Sequence, residues 1–354
     1  GPGAGYPLPQ GRRPESYVLP QGPGLRPGGG QGPGGGADTI ACSSTGNAAS
    51  SLAGNAAAAG LSTYIFVPSR APRGKVAQLR IFGATVISVE GSYEDTFELS
   101  RAAIDRWGWY NRNAAINPYL SEGKKTVALE IMEQLSWQVP DYIAISVGDG
   151  CTIAGLWKGL KDLYAIGFID RLPRLISAQA EGCCPINRAI AENKPWEPME
   201  ENTLADSIAV GVPRNADKAL TAIRESDGIV VNVSDQEIMA AQQLLGRTCG
   251  VFGEPAGVTG AAGVKKLCEQ GVIGKDDTVV SVVTGNGLKD VANAIKAAGE
   301  PHLHPFRHGP PAGGLCRKRH HCGISGKGPA GDRRPFFSKN FLIRATILSR
   351  FPMI

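Results

Sequence analysis

Three short segments combine residue types and spacings that can do chemistry: Ser43-Ser44-Thr45-Gly46-Asn47, Val147-Gly148-Asp149-Gly150-Cys151-Thr152 and Thr284-Gly285-Asn286-Gly287-Leu288-Lys289-Asp290. Each reads as a strand that ends in a loop of small residues and runs into a helix. Such loops present free backbone N–H groups at a helix N-terminus, where anions bind. Three of them in one chain point to one anionic ligand held from several sides. Each also has a plainer reading. Ser44-Thr45-Gly46-Asn47 would cap the Ala-rich run that follows. A Gly-rich turn after a buried strand is common in α/β folds, Cys151 would be a small filler, and Thr284 a strand-end hydroxyl.

The elements that position these loops follow from periodicity. Thr39–Cys42 reads as a short strand and Asn47 to Ala59 as an Ala-rich helix stopped by Gly60. Thr63–Val67 (strand), Pro72–Phe82 (helix) and Thr85–Val89 (strand) make a βαβ unit. Helices are expected over Tyr93–Trp107 and Lys124–Trp137. A second series starts with the apolar strand Tyr142–Val147 and a helix from the Gly148 loop to about Ile166. Strands Leu175–Ala180 and Ile229–Val233 follow. Ser234 with Glu237 three residues later then forms a capping-box pattern. Glu254–Glu269 reads as a helix of small residues, Thr278–Val283 as a strand buried on both faces, and Asn286–Ala298 as the closing helix. Strands alternating with helices predict two α/β domains with parallel sheets and a cleft between them.

Composition narrows the class. The 354 residues are 42% hydrophobic, enough for two domains with large cores. No stretch approaches the ~18 consecutive apolar residues of a membrane span, and no secretory pattern opens the chain. Eight cysteines in this length do not make a disulfide scaffold, so a reducing cytoplasm is the expected location. The net charge of +5 conceals an uneven distribution. The segment from His302 to Ile354 holds ten Lys/Arg against one Asp, and residues 1–36 hold three Arg against one Glu, so the body between them is net acidic. That balance argues against a nucleic-acid surface on the body. All five histidines (His302, His304, His308, His320, His321) lie in the tail, leaving none for catalysis or metal binding in the body. Cys316, His320, His321 and Cys322 fit no standard zinc spacing, and no metal is expected. Residues 1–36, rich in Gly and Pro, read at face value as a disordered arm. The expected organisation is an arm over 1–36, a smaller α/β domain over 37–123, a larger cofactor-binding domain over 124–301 and a basic tail over 302–354.

From Ala37 to Pro301 the order of these motifs resembles the fold-type-II, tryptophan synthase β-like pyridoxal-phosphate enzymes, and within them the threonine synthase family. Supporting stretches are Lys75-Val76-Ala77-Gln78-Leu79 with Gly83-Ala84-Thr85-Val86, Asn117-Pro118-Tyr119 leading to Glu122-Gly123-Lys124-Lys125-Thr126, Glu254-Pro255-Ala256, and above all Gly287-Leu288-Lys289-Asp290. The resemblance implies pyridoxal 5′-phosphate as cofactor. It puts Asn47 on the ring hydroxyl, backbone N–H groups of Gly148, Asp149, Gly150, Cys151 and Thr152 on the phosphate, and Thr284 on the ring nitrogen. Ser44, Thr45 and Gly46 would hold the carboxylate of a small amino-acid substrate. A neutral hydroxyl partner for the ring nitrogen suits elimination and replacement rather than transamination. The family usually has Asn where Asp149 stands, so the Asp149 carboxylate should point away from the phosphate. Two further departures concern the substrate phosphate. Leu120 replaces the arginine that grips it, and Ala114-Ala115 replace an Asn-Ser pair.

The family lysine that carries the cofactor should lie upstream of Ser44, but no lysine occurs in the first 37 residues. Its segment reads approximately Y-L-K-D-x-G-x-N-P-T-x-S-x-K-D-R. Back-translating Leu8 to Pro23 and sliding the frame by one base permits Y-L-K-D-D-G-L-N-P-T-S-S-L-K-D-R at every position. Pro20 to Pro23 as CCT-CAA-GGA-CCG-G becomes Leu-Lys-Asp-Arg, which puts the lysine codon across Gln21-Gly22. Arg307-His308-Gly309 slides in the same way to Asp-Met-Ala. Both ends are therefore expected to be out-of-frame translations, to be tested on the nucleotide sequence. The expected activity is conversion of O-phospho-L-homoserine and water to L-threonine and phosphate, with this polypeptide inactive for want of the lysine. The alternatives are a cysteate or cysteine synthase-like replacement reaction, or a non-catalytic cofactor-binding protein. A tail that binds nucleic acid is a weaker third. No membrane is expected as a partner, and the resemblance allows a homodimer.

Overall fold

The computed structural model describes residues 37–299 apart from Thr45, Ala114 and Ala115. The arm over 1–36 with Gln21-Gly22, and the tail over 302–354 with its Cys/His group, lie outside the described residues.

The first unit runs β1 (Thr39–Ser43), α1 (Asn47–Ala58), β2 (Ser62–Pro68), α2 (Arg73–Ile81), β3 (Thr85–Val89), α3 (Tyr93–Trp107) and the two-residue β4 (Tyr110–Asn111). Its strands are all parallel in the order β3-β2-β1-β4, with Ala41 opposite Tyr64 and Ile65 opposite Val86. Parallel pairing forces each connection to cross over, and α1, α2 and α3 are those crossovers. Ile40, Cys42, Leu52, Ile65, Val67 and Leu79 form the core beneath them.

The second unit comprises α4 (Pro118–Lys124), α5 (Thr126–Gln134), β5 (Tyr142–Ser146), α6 (Cys151–Ala165), β6 (Arg174–Ala180), α7 (Pro185–Glu192), α8 (Ala216–Glu225), β7 (Ile229–Val233), α9 (Asp235–Cys249), α10 (Pro255–Glu269), β8 (Val279–Ser281) and α11 (Val291–Ala298). Its sheet is parallel in the order β7-β6-β5-β8. The period-2 alternation of β5 explains its unbroken apolar sequence. Ile143 and Ile145 pack with Leu156 and Leu160 of α6 on one face, while Tyr142 and Ala144 pack with Val258 and Val264 of α10 on the other. Both faces are covered, as a doubly wound sheet requires. The fold is thus two α/β domains with parallel sheets.

Helix boundaries follow local chemistry. The capping box at Ser234 and Glu237 forms in both directions, and an equivalent one opens α3 at Ser92 and Asp95. The helix expected over Lys124–Trp137 is the shorter α5, Thr126–Gln134, with Ser136 and Trp137 just beyond its end at φ of 52° and 64°. A separate helix, α4, precedes it and starts where Asn117 Oδ1 accepts from Tyr119 N–H and Pro118 takes the first helical position. The last strand is three residues rather than six, and the closing helix is preceded by a tight 3₁₀ turn over Gly287–Asp290. Gly287 allows that turn to sit against Phe252, because a Cβ there would come within 2.1 Å of the ring. The helices α4, α7 and α8 lie outside the expected elements.

Candidate active site

In parallel sheets ligands gather outside the carboxyl ends of the strands. The carboxyl ends of β1 and β5, and the segment just beyond β8, open on one cleft. Every site residue expected from sequence and described by the structure lines it: Ser44, Gly46, Asn47, Gly148, Asp149, Gly150, Cys151, Thr152 and Thr284. Thr45 lies outside the described residues.

The first loop is held from below. Ser43 N–H donates to Asn113 Oδ1 at 2.7 Å, Ser44 N–H to the Phe66 carbonyl at 3.1 Å, and Gly46 N–H to Ser44 Oγ at 3.2 Å. Ser43 Oγ is buried and has no hydrogen-bond partner among the described residues, although Ser43 lines the cleft. A buried hydroxyl without a partner costs about 1–3 kcal/mol, a cost that a bound polar ligand removes. Tyr93 donates to the Ser43 carbonyl at 3.4 Å, and burial pushes its phenol far above the ordinary range.

Gly150 begins α6 with φ of 85°, and no side chain caps the helix. A Cβ on Gly150 would meet the Asn215 carbonyl oxygen at 2.8 Å, so both the backbone twist and the close approach require glycine. The α6 amides are left for a ligand. Asp149 is turned onto the chain behind it. Its carboxylate accepts from Arg214 N–H at 2.6 Å and from Asn215 Nδ2 at 3.1 Å. Burial raises its pKa, and these two hydrogen bonds, Lys124 and Arg214 pull the other way.

Thr284 follows β8, and its N–H donates to the Gly257 carbonyl at 3.4 Å. Gly285 turns the chain with φ of 76°, where a Cβ would lie 2.0 Å from Glu254 Oε1. The turn therefore closes against Glu254, and Glu254 N–H donates to the Gly285 carbonyl at 3.1 Å. From this turn Lys289 reaches across and donates to Asn47 Oδ1, tying the third loop to the first.

Sequence reading missed several lining residues, among them Arg70, Tyr93, Arg112 and Ser207. Arg112 is only 8% exposed, and burial, the largest influence on it, lowers its pKa despite the nearby thiols of Cys42 and Cys151. Burial also pushes the Cys42 thiol up to about 11. Arg112 lies just past the two-residue β4, too short to show a period. Lys124, quoted only as part of a matching stretch, lines the cleft and donates to Thr152 Oγ1 at 3.4 Å. Leu120 is buried at 4% exposure and is not among the lining residues. The donor set fits pyridoxal phosphate: a helix N-terminus free for a phosphate, the partnerless Ser43 hydroxyl, and neutral Asn47 and Thr284 side chains for ring heteroatoms.

Comparison with known proteins agrees with this geometry. The profile of the family described as pyridoxal-phosphate dependent enzyme matches residues 21–285. The threonine synthase of Methanosarcina acetivorans is 43% identical over 269 residues, and that of Methanocaldococcus jannaschii 41% over 271. Each match takes in 75% of this chain but only 66% of the relative, so the chain spans just under two thirds of their length. Among solved structures, maize serine racemase superposes with a TM-score of 0.61 at 22% identity, covering 74% of this chain and 77% of that one. Diaminopropionate ammonia lyase from Escherichia coli gives 0.62 at 18%, covering 73% and 70%. At those identities the structures establish the fold.

Proposed function

The chain belongs to the pyridoxal-phosphate dependent enzymes, and on that footing we propose that it is a lyase of the threonine synthase type, taking O-phospho-L-homoserine and water to L-threonine and phosphate. The observation that carries this reading is the convergence of Asn47, the Gly148–Thr152 loop and Thr284 on one cleft, in a chain 43% identical to a threonine synthase.

Pyridoxal phosphate, when bound, supplies an electron sink for charge that develops on the substrate carbons. The chain supplies the rest. The amides at the start of α6 hold the phosphate, and Gly150 keeps that loop free of side chains. Thr284 offers the ring nitrogen a hydroxyl rather than a carboxylate, so that nitrogen stays largely unprotonated and the chemistry favours replacement. Asn47 meets the ring hydroxyl. Ser44, Thr45 and Gly46 hold the substrate carboxylate.

The proton-shuttling lysine of the family belongs where Gln21-Gly22 stand. This polypeptide should therefore not turn over, whereas a protein translated with the first segment in the shifted frame should. If Gln21-Gly22 is not encoded as CAA-GGN or an equivalent, the frame reading fails. Threonine synthase activity in the unshifted polypeptide also defeats it.

Leu120 favours a second reading. It is buried away from the cleft, so it cannot grip a substrate phosphate. A cysteate or cysteine synthase-like replacement reaction is the alternative, and phosphate release from O-phosphohomoserine against O-phosphoserine by the frame-restored protein separates the two. We place the enzyme in a reducing cytoplasm as a homodimer. All six described cysteines are free thiols, in keeping with that compartment, and no described helix is long and apolar enough to cross a membrane. Sedimentation of the purified protein tests the dimer.

A further inference from the structure

The contact between Lys289 and Asn47 has a use beyond holding two loops together. Asn47 is the first residue of α1 and lines the cleft, whereas Lys289 sits in the 3₁₀ turn that follows Thr284 and Gly285. An ammonium group only donates, so the atom of Asn47 that faces Lys289 must be the carbonyl oxygen Oδ1. Amide orientation, ordinarily ambiguous between O and N, is settled by that partner. The Nδ2 group is then directed away from Lys289 and is left to donate to whatever the cleft holds.

The turn that carries Lys289 is itself fixed. Gly285 closes against Glu254, the Glu254 carboxylate acts electrostatically on Lys289, and Lys75 lies 3.3 Å from Glu254 Oε2. Lys289 N–H donates to the Asn286 carbonyl at 3.0 Å. The lysine is half-buried, so its hydrogen bond is worth more than one in open water.

We propose that Lys289 is a positioning residue. By holding Asn47 Oδ1 it presents Asn47 Nδ2 as a hydrogen-bond donor to the ring oxygen of the cofactor, and so sets which way the ring sits between the first and third loops. This rests on the pyridoxal-phosphate reading of the cleft.

The test is equilibrium dialysis of the full chain against pyridoxal 5′-phosphate, with the absorption spectrum of the bound fraction recorded. Lys289→Met should weaken binding about tenfold, equivalent to about 1.4 kcal/mol, and should shift the spectrum of the bound chromophore, because the ring oxygen loses an oriented donor. Lys289→Arg, which still donates to Oδ1, should stay within about threefold of the unaltered chain and keep its spectrum. Asn47→Ala should lose as much as Lys289→Met, and the double variant little more than either, since the two act through one contact. The assignment is overturned if Lys289→Met binds as the unaltered chain does. It is equally overturned if the full loss from Lys289→Met persists on top of Asn47→Ala, which would make the lysine a general attractor for phosphate. Borohydride reduction followed by peptide mapping adds a third check, since a pyridoxyl group found on Lys289 would make it the attachment point instead. Failure of the unaltered chain to bind at all defeats the cofactor reading and the assignment with it, and is distinguished by the absence of any bound chromophore.

Discussion

Lys75 of α2 and Glu254 at the start of α10 form an ion pair across the two sheets, with Nζ 3.3 Å from Oε2 and each side chain only 3% exposed. Lys75 also donates to Ser207 Oγ at 2.8 Å and lies 3.5 Å from Asp206. Glu254 in turn backs the Gly285 turn, so this pair fixes how the first domain meets the loop that carries Thr284. A buried pair adds little over an apolar substitute, but breaking it leaves one charge uncompensated.

Lys75→Met should therefore cost about 3–5 kcal/mol, read from urea denaturation followed by far-ultraviolet circular dichroism. Glu254→Gln in the same chain should recover part of the loss, because the 3%-exposed carboxylate left without Lys75 is then neutral. Equal losses in the single and double variants would show that the lysine stem, rather than its charge, matters.

Asp149 yields a pH dependence with a definite sign. Burial, the largest influence, raises its folded pKa above the ordinary 3.8. The folded state thus keeps the proton to higher pH than the unfolded state does. Its contribution is fully present below pH 3.8 and is lost as pH rises through the folded value. Burial raises Glu254 from 4.5 as well, so it has the same sign. Asp149→Asn should flatten the fall in stability between acid and neutral pH, while its Oδ1 can still accept from Arg214 N–H. Denaturation midpoints measured across that range check this, and an unchanged slope refutes it.

Leu120 invites a substitution that would restore the family's arginine. The structure argues against success. The position is 4% exposed, and its side chain is absent from the cleft wall. Leu120→Arg should lose about 3 kcal/mol by burying a charge, with no gain in the rate of phosphate release from O-phosphohomoserine by the frame-restored protein. A gain in that rate would mean α4 moves to admit the new side chain.

Much of this fold is legible in the residues alone, and the reasons differ by element. The strands β1, β3 and β7 and the helix α3 are bounded by Gly, Ser or a cap, and their bounds fall within a residue of expectation. Each of the three loops has an ordinary capping or turn reading on its own; what made them recognisable together is their order and spacing along one α/β chain. The closing strand is shorter than its apolar run because the ladder ends at Ser281: Val282 N–H still donates to the Ala144 carbonyl of β5 at 3.0 Å, but Val283 is buried beyond it, and burial looks the same as pairing in an apolar run. The Lys75–Glu254 pair and Arg112 were invisible as site residues. Their partners are far apart in sequence, and a lone charge in a helix or after a short strand reads as a solvated surface group. The side-chain direction of Asp149 follows from Arg214 and Asn215, 65 and 66 residues away, which no local pattern connects.

Ser43 supplies a prediction that separates stability from binding. Its hydroxyl is buried at the cleft wall with no partner among the described residues, although the residue itself is only 4% exposed. Removing an unsatisfied hydroxyl removes its desolvation cost, so Ser43→Ala should raise the stability of the ligand-free chain by about 1 kcal/mol. A polar ligand that fills the cleft gives that hydroxyl its partner, and the same substitution should then weaken the ligand. Thermal denaturation with and without pyridoxal 5′-phosphate measures both effects on one sample. The melting temperature of Ser43→Ala should start higher and rise less on adding the cofactor. If it starts lower, the hydroxyl already has a partner in the ligand-free chain. If the rise is undiminished, the cofactor does not reach the carboxyl end of β1.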